Sequence, residues 1–204
     1  MARIGLLGGS FDPPHNGHLA AARAVLAAHG LDRVDLLVAR TPPHRAAKQA
    51  VAAAHDRAAM AWLAVEGQAG LGVESCELSR PGPSYSIDTV RALRAAWPGN
   101  HYEFIVGADM LADLANWREA DALLGLVSFV PVMRPGFDES VFESLPARFG
   151  QDVVDALARA LVRAPLLDVS SSRVRAAVAA GESISAMVPT AVERFIHARG
   201  LYRA

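Results

Sequence analysis

Residues 4–18 read Ile-Gly-Leu-Leu-Gly-Gly-Ser-Phe-Asp-Pro-Pro-His-Asn-Gly-His, and this stretch decides the fold. The apolar run 4–7 predicts a buried strand, the glycines at 8 and 9 a tight turn, and the residues after Pro14 the start of a helix. Glycine lets backbone approach an anion, and the first N–H groups of a helix are unpaired and partly positive. His15 and His18, three residues apart, lie on one helix face. The stretch therefore predicts a phosphate site.

Composition narrows the class of protein. Of 204 residues, 52% are hydrophobic and 20% charged, as in folded globular proteins. Because the net charge is only −1, we expect neither nucleic acid nor a membrane as a partner, and any phosphate binding must be local. The one cysteine, Cys76, cannot form an internal disulfide, so we expect a cytoplasmic protein. A homo-oligomer is compatible with this composition.

Apolar runs alternate with helical patterns along residues 1–135. The runs 4–7, 34–38, 71–76, 104–106 and 127–132 predict strands. Helices are predicted after the first strand up to Gly30, from about Asp56, and from Ser86 to Trp97. This alternation predicts a Rossmann-like α/β fold, in which a parallel sheet is covered by helices on both faces. Ligands of such sheets bind beyond the carboxyl ends of the strands.

Residues 136–204 are predicted to be mostly helical. Val153, Leu157 and Leu161 form one apolar stripe, and Val174 and Val178 form another. A last helix is predicted to start after Pro189 and to end at Gly200. Because no repeat or flexible linker interrupts the sequence, we predict one domain over 1–204, with an α/β core over about 1–135 and a helical C-terminal part.

The two histidines have three interpretations. Zinc binding would need a third ligand, for which His44 is conceivable, although no carboxylate or thiol follows at metal spacing. Exposed residues at a helix start would have no chemistry. The favoured interpretation is contact with phosphate, because imidazoles beside a glycine turn can donate hydrogen bonds to phosphate oxygens whose charge grows during attack on phosphorus. No protein-held metal is predicted.

The run 8–18 resembles the signature of the HxGH nucleotidyltransferases, including its Phe11-Asp12-Pro13 portion. In that family a phosphate-like nucleophile attacks the α-phosphorus of ATP without a covalent enzyme intermediate. The resemblance implies that His15 and His18 are the catalytic residues, which hold the ATP phosphates and stabilise the transition state. It also implies ATP-binding positions that are contiguous in sequence: Gly8, Gly9, Ser10 and Phe11.

A second anion-binding helix start is predicted near the C-terminus. Residues 169–175 read Val-Ser-Ser-Ser-Arg-Val-Arg, with hydroxyls at a helix cap and arginines in the first turns. By itself this pattern is also typical of an ordinary serine cap with surface arginines. It is similar to the family's I-S-S-T-x-I-R motif, with Val169 and Ser172 as departures. The resemblance implies that Ser171, Ser172 and Arg175 bind the β- and γ-phosphates.

Further motifs resemble those of the bacterial nicotinate-mononucleotide adenylyltransferases, and the resemblance extends over nearly the whole chain. The stretch 41–45, Thr-Pro-Pro-His-Arg, is similar to the subfamily's P-P-H-K element, with Arg45 replacing lysine. Residues 83–89, Pro-Ser-Tyr-Ser-Ile-Asp-Thr, are similar to its S-Y-T-x-D-T element. The implied mononucleotide-binding residues are these: His44, Arg45, Lys48, Tyr85, Ser86, Trp117 and Arg134.

Two of the implied contacts have specific chemistry. Gly107 and Asp109, after the fourth predicted strand, would contact ATP, and Trp117 would stack on the pyridine ring. Ser86 opens a helix, where hydroxyl and backbone N–H groups can bind a carboxylate. Read from the residues alone, Trp117 at a helix approach is more typical of packing than of a ring platform, and Asp109 is compatible with a helix cap.

The resemblance implies transfer of the adenylyl group of ATP to nicotinate mononucleotide, with ATP-bound Mg²⁺ and formation of deamido-NAD and pyrophosphate in NAD biosynthesis. Nicotinamide mononucleotide as the acceptor is the main alternative. Phosphopantetheine as the acceptor would leave residues 84–89 and Trp117 without a purpose. A non-catalytic nucleotide sensor would bind ATP without releasing pyrophosphate.

Overall fold

The computed structural model describes residues 1–43, 50–133, 142, 145–165 and 167–203. The strands are β1 (Arg3–Gly9), β2 (Arg33–Val38), β3 (Leu71–Glu74), β4 (His101–Gly107), β5 (Ser128–Met133) and β6 (Val162–Arg163). The α-helices are α1 (Asn16–His29), α2 (Ala54–Val65), α3 (Cys76–Ser79), α4 (Ser86–Ala96), α5 (Ala120–Leu126), α6 (Pro146–Phe149), α7 (Gln151–Arg159), α8 (Ser171–Ala179) and α9 (Thr190–Arg199). A 3₁₀-helix spans Ala108–Asn116.

Within the described residues, the strands form one six-stranded sheet in the order β3-β2-β1-β4-β5-β6, and every neighbouring pair is parallel. Leu7 of β1 is in register with Leu36 of β2 on one side and with Ile105 of β4 on the other. Strand β1 is thus central, and the chain leaves it toward β2 before it returns to pair β4 on the opposite side.

Side chains of β1 alternate between two apolar layers, as the pleat of a strand requires. Leu7 packs in the layer that α1, α2, α8 and α9 cover. Ile4 and Leu6 pack in the other layer, which α4, α5, α7 and the 3₁₀-helix cover. The prediction of a Rossmann-like parallel sheet with helices on both faces and a helical C-terminal part is confirmed.

Two details of the predicted elements are wrong. The third strand ends at Glu74, because the Glu74 carboxylate accepts the Cys76 N–H at 2.8 Å and Cys76 begins α3. Burial raises the pKa of the Cys76 thiol to about 12, so the side chain is an inert thiol at neutral pH. Leu161 does not continue the helical stripe, because α7 ends at Arg159 and the chain then extends into β6 to pair with β5.

Within the described residues, no helix combines the length and the apolar character needed to cross a membrane.

Candidate active site

The first candidate site lies where the strand order switches direction, at the carboxyl ends of β1 and β4. Helices leave these neighbouring strands on opposite faces of the sheet, which opens a crevice between them. A cavity of about 350 Å³ occupies this crevice. We call it the phosphate cavity; among its lining residues are Gly8, Gly9, Ser10, Asp12, His15, His18, Gly107, Asp109, Ser170, Ser171, Ser172 and Arg175. The structure therefore brings together both predicted phosphate motifs, which are about 150 residues apart in sequence.

The two histidine rings are stacked, with centroids 3.7 Å apart and planes at 25°. The His15 backbone N–H donates to Nδ1 of His18 at 3.1 Å. Because Nδ1 accepts this hydrogen, the neutral His18 ring carries its proton on Nε2, where it can donate to a ligand. His15 is buried and His18 only partly so. The pair is thus oriented by the start of α1 itself.

Two glycines permit this packing. A β-carbon on Gly17 would lie 3.0 Å from Nδ1 of His15, and one on Gly9 would lie 3.0 Å from the Phe11 ring. Phe11 has φ of 48°, in the left-handed region that non-glycine residues rarely adopt. Its buried ring contacts the His18 ring edge-on, with centroids 5.0 Å apart. The Phe11 side chain therefore packs against the His18 ring, and it does not line the phosphate cavity.

The start of α1 differs from the expectation of free N–H donors. The N–H of Asn16 donates to the Met187 carbonyl at 2.9 Å, and the N–H of His18 donates to the His15 carbonyl at 2.9 Å. With the His15 N–H bound to His18, three of these donors already have acceptors within the protein. The expectation is wrong for these three groups, because the C-terminal part of the chain and a tight first turn supply carbonyl acceptors.

Helix α8 brings the second motif against the first. Its cap is Ser170, whose hydroxyl accepts the Arg173 N–H at 3.2 Å. The Ser171 hydroxyl donates to the Pro13 carbonyl at 2.8 Å. Arg175 donates from Nη1 to the Asp12 carbonyl at 2.6 Å and from Nη2 to the Ser172 hydroxyl at 3.3 Å. Arginine and hydroxyl groups thus face the histidines across one cavity.

A second cavity, of about 190 Å³, adjoins the first and is mostly apolar. Trp117 lines it and packs against Phe104 and Phe129, with ring centroids 6.0 and 6.1 Å apart. Ser86, Pro42 and Pro43 also line it, whereas Tyr85 does not. The Tyr85 ring lies under the Arg118 guanidinium, 4.7 Å from the ring centroid, which is a cation–π contact.

Two polar residues of the second cavity, Ser84 and Glu77, are not among the individual ligands that the resemblance implies. Ser84 accepts the Arg40 and Thr41 N–H groups, at 3.0 and 3.3 Å, and so joins the loop before α4 to the end of β2. Glu77 is buried, and its carboxylate accepts the Thr89 hydroxyl at 2.5 Å. Burial raises the pKa of Glu77, with hydrogen bonds from Thr89 and Ser84 opposing the shift. No periodicity in the sequence marks Glu77 as part of a site.

Four predicted mononucleotide ligands, His44, Arg45, Lys48 and Arg134, lie outside the described residues. Among the described residues, no group of three or more histidine, cysteine, aspartate or glutamate side chains could hold a metal ion.

Comparison with known proteins gives the family. The cytidylyltransferase-like family matches residues 6–177. A relative from Geobacillus thermodenitrificans is 42% identical over 204 residues, which are 100% of this chain and 88% of that protein. Relatives from Symbiobacterium thermophilum and Bordetella petrii are 43% and 42% identical, over 99% and 100% of this chain and 96% and 100% of their own. All three carry the name "Probable nicotinate-nucleotide adenylyltransferase".

The chain belongs to the nicotinate-nucleotide adenylyltransferase family. The predicted membership is thereby confirmed. A solved structure of Plasmodium falciparum nicotinic acid mononucleotide adenylyltransferase in complex with NaAD has a TM-score of 0.75 and 18% identity, over 99% of this chain and 98% of that one. This structure establishes the shared adenylyltransferase fold.

In this member of the nicotinate-nucleotide adenylyltransferase family, sequence reasoning also missed a buried arginine. Arg57 is 1% exposed, and its guanidinium donates to the carbonyls of Ser10, Ala39 and Arg40 at 2.6, 2.7 and 2.9 Å. It thereby joins the chain just beyond β1 to the chain just beyond β2. Arg57 precedes Met60 by three residues and so lies on the apolar face of α2. This position in the sequence could have indicated that the arginine is buried.

Proposed function

We propose that this chain transfers the adenylyl group of ATP to nicotinate mononucleotide, forming deamido-NAD and pyrophosphate in NAD biosynthesis. The observation that carries the proposal is the union of the two cavities. The phosphate cavity and the apolar cavity share Gly8, Gly9, Ser10, Gly107 and Met110. A triphosphate in one and a pyridine ring in the other would bring their phosphates together over the glycines at the end of β1.

The reaction needs no general base. A phosphate oxygen of the mononucleotide is already an anion at neutral pH, and it forms a bond to the α-phosphorus of ATP while the bond from that phosphorus to the α,β-bridging oxygen breaks. The protein aligns the two phosphates and stabilises the added charge. In this proposal His15 and His18 donate hydrogen bonds to the α-phosphate, and Arg175 with Ser172 binds the departing pyrophosphate.

We propose a narrower role for Ser171 than the resemblance implied. Its hydroxyl donates to the Pro13 carbonyl at 2.8 Å, so we expect its backbone N–H to be the donor toward a phosphate. We propose that Ser171 joins the two motifs, and that Arg175 and Ser172 supply the side-chain contacts with the triphosphate.

The acceptor side of the proposal rests on Trp117, with its aromatic neighbours, and on Ser86. A pyridine ring fits an apolar cavity with an indole wall, and the start of α4 offers a hydroxyl and backbone dipoles to its carboxylate. Contacts from Tyr85, His44, Arg45, Lys48 and Arg134 stay predictions of the sequence. So do the ATP contacts of Phe11 and Asp109.

Mg²⁺ is proposed as part of the ATP substrate. Because the described residues hold no metal-binding group of three acidic or histidine side chains, the site fits an ion carried by phosphate oxygens and water. The ion would supply charge neutralisation on the triphosphate. The residues of this chain would hold the phosphate oxygens that the ion leaves free.

We also propose a single functional unit over 1–204, because α8 supplies Arg175 to a cavity that β1 and β4 build. A cytoplasmic location stays a prediction from the lone Cys76, and self-association stays open to measurement by light scattering.

The test is pyrophosphate release with ATP and, in separate reactions, nicotinate mononucleotide, nicotinamide mononucleotide and phosphopantetheine. We expect the highest kcat/KM with the nicotinate compound, and deamido-NAD as the product by mass spectrometry. Preference for the amide would reassign the acceptor. Release with none of the three, despite measurable ATP binding, would favour the sensor hypothesis.

A further inference from the structure

Tyr202 contacts Asp12, a residue that lines the phosphate cavity. After α9 the chain turns through Gly200 and Tyr202, which both have left-handed backbone angles, φ of 60° and 62°. This turn directs the Tyr202 hydroxyl back to Asp12, where it donates to Oδ1 at 2.8 Å. Residues separated by 190 positions in sequence are thus in direct contact.

Asp12 is a buried junction between four parts of the chain. It is 3% exposed. Besides Tyr202, its carboxylate accepts the backbone N–H groups of Val51 and Ala52 at 2.7 and 3.1 Å. Its own carbonyl accepts Nη1 of Arg175, and Oδ2 is 3.9 Å from the same nitrogen. The orientation of the Asp12 residue therefore determines where the Arg175 guanidinium lies.

We propose that Tyr202 is a positioning residue for Arg175, acting through Asp12. The hydroxyl holds the carboxylate toward Tyr202, so that Arg175 is held by the Asp12 carbonyl and its charge remains available to a triphosphate. Without the hydroxyl, only the Val51 and Ala52 N–H groups hold the carboxylate, and it can shift toward Arg175 to close the 3.9 Å gap. A close ion pair would then compete with the phosphate oxygens for the same guanidinium. The inference rests on the proposed role of Arg175 as a triphosphate ligand.

The chemistry of the hydroxyl supports this role. Burial raises the pKa of Tyr202 far above its usual value, and the neighbouring Asp12 charge adds to the shift. The hydroxyl therefore remains a donor across the physiological pH range. The charged groups that face it, Arg57 and Arg175, only partly oppose this effect.

The test uses Tyr202→Phe, which keeps the ring and removes the hydroxyl. We expect kcat/KM for ATP to fall about tenfold, the loss typical of one hydrogen bond to a charged group. The KM for the mononucleotide should be unchanged. Tyr102→Phe is the matched control. Tyr102 is also a buried tyrosine, but it lies at the amino-terminal end of β4, away from the phosphate cavity, so both constants should be unchanged.

The decisive measurement is coupling. In an Arg175→Ala background, Tyr202→Phe should cause no further loss, because the group that it positions is absent. Equal losses with and without Arg175 would reduce Tyr202 to a general structural role and overturn the inference, as would unchanged constants in the single variant. Thermal unfolding of each variant separates loss of fold from loss of positioning.

Affinity for adenosine 5′-(α,β-methylene)triphosphate, measured by calorimetry, makes the inference independent of turnover. We expect Tyr202→Phe to weaken binding only where Arg175 is present. A wild-type chain that binds this analogue but releases no pyrophosphate from ATP would refute the proposed function. The coupling between Tyr202 and Arg175 could still be measured through binding of the analogue. An active wild type without coupling would refute the inference alone.

Discussion

His18 uses its two ring nitrogens for separate tasks. Nδ1 accepts the His15 N–H, which orients the ring and leaves the proton on Nε2. The Phe11 ring supports it from one side and the His15 ring from the other. An imidazole held in this way loses little entropy when it binds a phosphate, which is the condition for efficient charge stabilisation in a transition state.

Replacing His18 with alanine should therefore lower kcat by about 10²–10³-fold, or about 3–4 kcal/mol, as loss of one transition-state donor does. The measurement is steady-state turnover at saturating ATP. His101→Ala, an exposed histidine at the start of β4 on the opposite edge of the sheet, is the control. Near-normal turnover of His18→Ala would remove this residue from the mechanism.

Trp117→Ala should raise the KM for the pyridine nucleotide far more than the KM for ATP, because the indole borders only the apolar cavity. Trp117→Phe should retain part of the ring stacking and give an intermediate KM. Trp97→Ala is the matched control, because Trp97 is 63% exposed and lies just after α4. Equal increases in both KM values would refute the stacking assignment.

At the scale of elements, α8 uses one end for two purposes. Ser170 closes the first turn, and the residues that follow it line the phosphate cavity. The same unpaired N–H groups and partial positive charge that favour a serine cap also favour an anion. The same few residues at the start of α8 can therefore both cap the helix and bind a phosphate.

Substitutions at Ser170 separate these two demands. Ser170→Ala should lower the free energy of unfolding by about 1 kcal/mol, because the Arg173 N–H loses its cap. Ser170→Asp should keep the cap and yet raise the KM for ATP, because it adds a negative charge to the phosphate cavity. Urea unfolding and steady-state kinetics check the pair. An aspartate variant with unchanged KM would show that Ser170 lies too far from the triphosphate to matter.

At the scale of the whole molecule, the two ends of the parallel strands differ in function. The proposed active site lies at the carboxyl ends of the strands, whereas an ion-pair cluster lies near their amino-terminal ends. There Glu103 accepts from Arg3 at 2.8 Å and contacts His29 at 2.6 Å, and His29 also contacts the Ala160 carbonyl at 3.1 Å. The cluster joins β1, α1 and β4 to the end of α7.

Glu103→Gln should lower the free energy of unfolding by about 1–2 kcal/mol, because it removes the negative charge that pairs with Arg3 and contacts His29. It should leave kcat and both KM values unchanged, since the sheet separates this end of the strands from the phosphate cavity. Urea unfolding at neutral pH and steady-state kinetics are the measurements. A fall in kcat at full occupancy of the folded state would contradict this division of the molecule.

Much of the fold and the phosphate site could be predicted from local pattern. The apolar runs and the glycine turns predicted β1 to β5, because burial and backbone freedom are properties of a few adjacent residues. The two-residue β6 is too short to show a periodic pattern, so the sequence predicts Leu161 as part of the preceding helical stripe. The contiguous motifs around His18 and Arg175 could be read for the same reason, since each is a strand end or a helix start.

What the sequence by itself determined was the alternating α/β architecture, the family and the two phosphate motifs, because each is encoded within a short stretch. Only the tertiary structure decided that Asp12, Arg57 and Tyr202 meet beside Arg175, and that Glu77 enters the apolar cavity. Only the structure also decided that N–H groups at the start of α1 are already bonded within the protein. These relations depend on which distant carbonyls and carboxylates a buried donor reaches, and that is settled by packing of the whole chain.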